Sequence, residues 1–193
     1  MILFQGKLLS SCYLSLFGLW LLSSVLTLIR KRATTDLVTR NRGFVGRALL
    51  VLLLTNLLAI ACLRYFPRAT FATTAAAVAG LVSMALGLAL RTWAIVHLGR
   101  SFTVDVAVST GQRIIDTGPY ASVRHPSYTG LLLLAAGVGL CFGNAVSLVV
   151  IVVPMIALVM RRISVEEDAL VQTLGDGYRA YAGRTKRLIP GIY

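Results

Sequence analysis

Charge is what this sequence has least of. Asp, Glu, Lys and Arg make up 13% of the 193 residues, and only seven residues are acids. Soluble domains are roughly 25% charged, so that shortage excludes an ordinary soluble domain. Histidine occurs twice, as His97 and His125, and cysteine three times, as Cys12, Cys62 and Cys141. The cysteines lie far apart in apolar stretches and read as small core residues, not as a disulfide framework. Two isolated histidines form no His/Cys cluster, so no metal site is expected. The N-terminal stretch does not read as a secretory signal. A single base, Lys7, precedes its apolar run. The run is longer than a signal core and no small-residue cleavage site follows, so it reads as a retained membrane helix.

Apolar residues are abundant, at 57%. A bilayer core takes about 20 apolar residues per helix, and Leu8–Ile29, Ala48–Phe66 and Ala69–Leu90 each qualify. The third is rich in Ala and Gly, which suits close helix–helix approach. Leu131–Met160 is 30 residues long. One helix of that length would span about 45 Å, too long for an untilted crossing. Gly137, Gly139, Gly143 and Asn144 fall near its middle. The run therefore reads as a helical hairpin with its tip at Phe142–Asn144. The second arm continues past the membrane towards Leu174, where Gly175 and Gly177 stop it. The expected fold is an all-α integral membrane protein of about five transmembrane helices, the last two forming a hairpin. Residues 1–193 read as one membrane domain, with three N-terminal spans in 1–90 and a second half in 91–193. No internal repeat or low-complexity linker is apparent.

The net charge of +12 would suggest nucleic acid on a soluble protein. Here the bases cluster between spans, and no basic helix or aromatic-interleaved sheet is visible. Six bases fall in Arg30–Arg47, four in Arg91–Arg124 and six from Arg161 onward. Lys7, Arg64 and Arg68 fall on the other side. The positive-inside rule puts the C terminus in the cytoplasm and the N terminus outside.

The most polar, most turn-rich segment, "GPYASVRHPSYTG" at Gly118–Gly130, lies at the mouth of the hairpin. Pro126 biases His125 away from helical backbone and can itself start a helix. The unpaired N–H groups and positive dipole there favour an anionic group. A basic membrane flank with a tyrosine belt is the competing reading. A second cluster, "RRISVEED", spans Arg161–Asp168. Arg162 and Glu166 are four apart and share a helix face. A surface pair is the simpler account of them. Yet Glu166, Glu167 and Asp168 sit at a helix end whose dipole disfavours negative charge, which points to another use, such as holding a cation or a hydroxyl pair. Tyr178 and Tyr181 either cover a pocket or anchor at the headgroups, and anchoring is favoured.

Taken together, "GPYASVRHPSYTG", the apolar hairpin, Arg162-x-x-x-Glu166-Glu167 and "LGDGYRAYAGRTKRLIP" resemble the isoprenylcysteine carboxyl methyltransferase family, part of a wider group that includes phospholipid methyltransferases. The resemblance covers roughly Gly99 to Pro190. It implies S-adenosylmethionine as methyl donor, leaving as S-adenosylhomocysteine. It also implies a cytoplasmic cofactor pocket closed by the C-terminal segment, and an opening to the bilayer for a lipid-like or prenylated acceptor. Cofactor contacts are implied at Gln112, Arg113, Ile114, Ile115, Tyr120, His125, Pro126, Ser127, Tyr128 and Glu166, and the acceptor contact at Arg162. A carboxylate acceptor is already ionised and needs no base. A phenol or amine would need Glu166 or Glu167 to take its proton. The competing readings are a membrane NADPH-dependent reductase, since sterol reductases carry a similar Arg-His-Pro-x-Tyr segment, and a non-catalytic scaffold or transport accessory.

Overall fold

The computed structural model describes residues 7–31, 44–99 and 114–193, with the backbone alone at 27–31, 44 and 45. Gln112 and Arg113 lie outside the described residues. Five long helices follow in order: α1 (Lys7–Lys31), α2 (Phe44–Tyr65), α3 (Thr74–Leu98), α4 (Pro126–Phe142) and α5 (Ala145–Arg184). α1, α2, α3 and α5 are long and apolar enough to cross a membrane, and α4 is a shorter apolar arm of 17 residues. The protein is an all-α integral membrane protein, as expected. Leucines such as Leu19, Leu22, Leu53, Leu54 and Leu57 are exposed on α1 and α2, where acyl chains meet them without cost.

The hairpin tip forms at Gly143 and Asn144. Gly143 takes the left-handed conformation (φ 63°) that ends α4, a position glycine fills without steric penalty. The Asn144 side chain accepts from the Val146 and Ser147 amides and so caps α5. Its amide donates to the Phe66 carbonyl at 2.9 Å, which ties the tip to the α2–α3 turn. Asn144 is fully buried, and these bonds offset the cost of burying it.

α3 and α4 pack backbone against backbone through two glycine pairs. A Cβ on Gly80 would stand 2.8 Å from the Gly137 carbonyl, and one on Gly130 would stand 2.6 Å from the Gly87 carbonyl. Small residues replace the hydrophobic drive that lipid cannot supply between membrane helices. Met84, Val138, Ile151, Met155 and Val159 fill the core between helices.

Two helix bounds differ from expectation. α3 does not stop at Leu90 but runs to Leu98, so Arg91 lies inside a membrane helix. α5 leaves helical geometry at Gly175 (φ 56°, ψ −131°) as expected, then resumes to Arg184. The kink turns its last stretch back towards the Gly118–Gly130 segment. The tail beyond it then pairs with that segment. Arg124 and His125 donate their amides to the Lys186 and Arg187 carbonyls at 2.7 and 3.0 Å.

Candidate functional site

The apolar part of α5 ends at Met160, and Arg161 and Arg162 begin its polar continuation. Packed against that continuation is the N terminus of α4. His125 immediately precedes α4 with non-helical backbone (φ −126°, ψ 55°). The first turn of α4 is less open to an anion than the sequence suggests. The Tyr128 and Thr129 amides both reach the His125 carbonyl, at 3.0 and 3.1 Å.

The polar side chains form two linked groups. In the first, the Tyr128 hydroxyl donates to Glu166 Oε2 at 2.9 Å. Arg162 Nε donates to the same hydroxyl at 3.2 Å and lies 3.9 Å from Glu166 Oε2. Arg162 is 1% exposed. It is no surface partner: a guanidinium so buried is costly to desolvate unless its polar surroundings compensate. The imidazole of His125 stacks on the Tyr128 ring, with centroids 5.7 Å apart. His125 Nδ1 lies 4.0 Å from Glu166 Oε2.

The second group surrounds Glu167. Its Oε1 accepts from Arg124 Nε at 2.8 Å and from His125 Nε2 at 3.1 Å. Its Oε2 accepts from Arg187 Nε at 2.9 Å. Burial pushes the Glu167 carboxyl up, but the hydrogen bonds from His125, Arg124 and Arg187 outweigh it and hold the group down at about 2. Arg124 also donates to the Ala182 carbonyl at 2.8 Å and to the Thr185 carbonyl. Glu167 is thus the knot joining the α4 entrance, α5 and the tail. Asp168, next to it, is exposed.

Tyr178 and Tyr181 are each 4% exposed, so they do not anchor at headgroups. The kink at Gly175 folds them inward. The Tyr181 hydroxyl donates to the Tyr120 carbonyl at 2.7 Å. The Tyr178 hydroxyl is buried with no hydrogen-bond partner among the described residues. Burial raises the Tyr178 and Tyr120 phenols and pushes Tyr181 up to about 12, so all three are neutral hydroxyls near pH 7. The Tyr120 hydroxyl is spent on the Ala94 carbonyl of α3, 3.3 Å away.

Of the residues singled out from sequence, His125, Tyr128, Arg162, Glu166 and Glu167 come together. Pro126 and Ser127 are buried at the start of α4. Ile114 and Ile115 are half-buried. Ile114 packs on Gly177, where its Cδ1 would stand 3.4 Å from an added Cβ. Sequence reasoning passed over Arg124 and Arg187 as partners of Glu167, the inward Tyr178, and Arg91. The Glu167 contacts reach across 43 and 20 residues, and no spacing rule reports them. Arg91 had a visible signal, a lone charge in a small-residue helix, but that charge read as the helix end.

Comparison with known proteins follows the same stretch of chain. The model of the isoprenylcysteine carboxyl methyltransferase (ICMT) family matches residues 78–172. A protein-S-isoprenylcysteine O-methyltransferase of Schizosaccharomyces pombe is 36% identical over 111 residues, covering 56% of this chain and 47% of the relative. Protein-S-isoprenylcysteine O-methyltransferase B of Arabidopsis thaliana is 34% identical over 115 residues, covering 58% of each chain. The Saccharomyces cerevisiae enzyme of the same description is 32% identical over 125 residues, covering 64% of this chain and 52% of its own. The chain thus spans about half the length of the curated relatives it matches. The fold is also that of the eukaryotic intramembrane Ras methyltransferase ICMT. That structure matches with a TM-score of 0.69 and 22% identity over 95% of this chain and 67% of the other. Through the segment that carries the α4 entrance, the hairpin and the Arg162–Glu166 pair, the chain is similar to the isoprenylcysteine carboxyl methyltransferase family.

Proposed function

We propose that this protein is an integral-membrane methyltransferase that moves a methyl group from S-adenosylmethionine to the carboxylate of a lipophilic acceptor of isoprenylcysteine type. The observation that carries the reading is the Arg162–Tyr128–Glu166 cluster: a guanidinium 1% exposed and a half-buried carboxylate sharing one hydroxyl at the mouth of a membrane hairpin.

The residues present fit the donor. It carries an ammonium, a carboxylate, two ribose hydroxyls and an adenine. Glu166 offers an anion for the ammonium or the hydroxyls, and His125 and Tyr128 offer stacked rings. The buried Tyr178 hydroxyl has no partner among the described residues, and a buried hydroxyl is expected to be satisfied. When bound, the donor supplies an electrophilic methyl on a sulfonium.

The chain's own residues bind and orient. Arg162 offers a planar fork to the acceptor carboxylate. Tyr128 fixes the Arg162 Nε and Glu166 relative to one another, so neither has to reorganise when ligands arrive. The carboxylate acceptor needs no proton removed, so the gain comes from proximity and the exclusion of water. Glu167, held by the Arg124 and Arg187 guanidiniums and the His125 imidazole, serves as a positioning residue: it ties the tail across the α4 entrance. The base asymmetry supports a cytoplasmic site and C terminus, with the N terminus outside. Residues 1–193 then form one membrane domain, in which α1 and α2 complete the bilayer-facing wall.

The test is transfer of labelled methyl from S-adenosylmethionine to a farnesylcysteine acceptor by the purified protein in detergent, with mass analysis of the product. A methyl ester is the expected product. Stabilisation by NADPH but not by S-adenosylhomocysteine would return the reductase reading. Absence of both stabilisation and transfer would leave the scaffold.

A further inference from the structure

Arg91 is a charge inside a membrane helix. It sits within the Thr74–Leu98 span, and it is 8% exposed. Its Nε has no hydrogen-bond partner, and it takes part in no ion pair among the described residues. A guanidinium in such a place is costly unless an anion compensates it, and ionisable residues in spans mark ligand paths.

The described acids do not supply that anion. Glu167 is engaged by Arg124, His125 and Arg187. Asp116 pairs with Arg184, Asp176 pairs with Arg179, and Asp168 is exposed. Glu166 faces Arg162 and His125.

The backbone fixes where Arg91 stands. A Cβ on Gly130 would meet the Arg91 amide nitrogen at 2.8 Å and the Arg91 Cβ at 3.0 Å. Arg91 therefore rides directly on α4, two residues deeper than Tyr128. The Arg91 guanidinium is an electrostatic neighbour of the Tyr128 hydroxyl, the group that already receives Arg162. Arg91 from α3 and Arg162 from α5 thus flank the start of α4, Arg91 against Gly130 and Arg162 against Tyr128. A buried guanidinium with no ion pair among the described residues, on the membrane side of Tyr128, suits a monoanion that enters from lipid, whereas the donor's candidate contacts lie along the polar side, at Tyr120 and His125.

We infer that Arg91 is a second acceptor-binding residue, which joins Arg162 in gripping the carboxylate of a lipophilic acid entering between the membrane helices. The inference rests on the methyltransferase reading above and adds a specificity element to it. Arg91 selects a carboxylate over its neutral isostere, because only the anion compensates the buried guanidinium.

The test compares N-blocked S-farnesylcysteine with its carboxamide, by equilibrium binding to the purified protein in nanodiscs. The wild type should prefer the carboxylate by roughly tenfold or more, the scale of one hydrogen bond to a charged group. Arg91→Gln should lose most of that preference while binding the carboxamide and S-adenosylhomocysteine as the wild type does. Arg91→Lys keeps the charge but not the fork and should retain part of it. In kinetics the acceptor KM should rise and the donor KM should hold. An undiminished carboxylate preference in both variants, with the wild type discriminating, overturns the role of Arg91 and leaves the function standing. A wild type that binds neither compound overturns the acceptor class and this inference with it. Loss of S-adenosylhomocysteine affinity with unchanged acceptor preference reassigns Arg91 to the donor and likewise overturns it.

Discussion

Arg187 Nε donates to Glu167 Oε2 at 2.9 Å. A residue of the tail after α5 is thereby tied back to the polar stretch of α5 itself. The same carboxylate holds Arg124 and His125, at the entrance of α4. One acid therefore joins the tail to the entrance, beside the backbone pairing of Arg124 and His125 with Lys186 and Arg187.

Replacing it isolates that role. Glu167→Gln keeps the shape and loses the charge, leaving two guanidiniums and an imidazole facing an amide. A hydrogen bond to a charged group is worth about 1.5–3 kcal/mol, so the variant should unfold several degrees below the wild type in detergent. Donor affinity should fall, because the α4 entrance loosens. Acceptor discrimination should hold. A wild-type melting temperature would show that the knot contributes nothing.

The same carboxylate sets a pH dependence. Its folded value of about 2 lies below the ordinary glutamate value of about 4.3. The folded state therefore binds the proton less readily than the unfolded one, and stability rises with pH in that window. The contribution is full above about pH 5 and is lost as the pH falls towards 2. In the wild type the Glu167 contribution to the melting temperature should hold from pH 7 to 5 and decline by pH 3.5. That decline should be smaller in Glu167→Gln. Parallel curves would assign the acid sensitivity to other groups.

Gly118 carries a separate constraint. It has φ 58°, and an added Cβ would stand 2.7 Å from the His97 ring. His97 Nε2 in turn lies 2.9 Å from the Thr117 hydroxyl. Gly118→Ala should cost about 1–2 kcal/mol for the left-handed backbone alone, plus the displacement of the ring. In a His97→Ala background only the backbone cost should remain. A double-mutant cycle on thermal stability reads the difference. Equal costs in both backgrounds would remove His97 from the account.

Much of this was legible in the sequence because a bilayer leaves few choices. Every spanning backbone must bond internally, so apolar runs become helices and glycine near the middle of an overlong run becomes a hairpin tip. The Arg162–Glu166 face followed from helical spacing alone. Helix spacing says nothing, however, about groups brought together from different elements. Glu167 was legible as an oddly placed acid, but not as the partner of Arg124 and Arg187. Tyr178 and Tyr181 looked like an interfacial belt, because nothing local reveals that the Gly175 kink turns them inward. Arg91 looked like a helix end, since a charge ordinarily marks one. Its burial depends on Gly87 and Gly130 lying opposite each other, which is a tertiary fact.

The orientation of the chain is open to a direct measurement. Most bases fall between α1 and α2, between α3 and α4, and after Met160. A cytoplasmic activity reporter fused after Tyr193 should be active, and one placed ahead of Lys7 should not. The opposite pattern would turn the whole helix order over and put the site outside.

The last prediction separates the two partners of Tyr128. Exposed ion pairs are worth at most about 1 kcal/mol, and Arg162 is not exposed. Its replacement should therefore register in function. Arg162→Lys keeps the charge and loses the planar fork that meets a carboxylate on two bonds. It should raise the acceptor KM or lower kcat, with donor affinity held. Glu166→Gln removes the anion that faces Tyr128 and His125, and it should weaken the donor instead. Tyr128→Phe removes the hydroxyl that links them, 2.9 Å from one and 3.2 Å from the other. If that hydroxyl serves by holding both groups in place, Tyr128→Phe should affect donor and acceptor together. The effect should also be non-additive with either neighbour, because the three act as one unit. Steady-state kinetics varying donor and acceptor separately, on the three single variants and the Tyr128→Phe/Arg162→Lys double, reads all of this. Additive losses in the double variant would mean that Tyr128 and Arg162 act independently, and the hydroxyl would then be only a packing group beside His125.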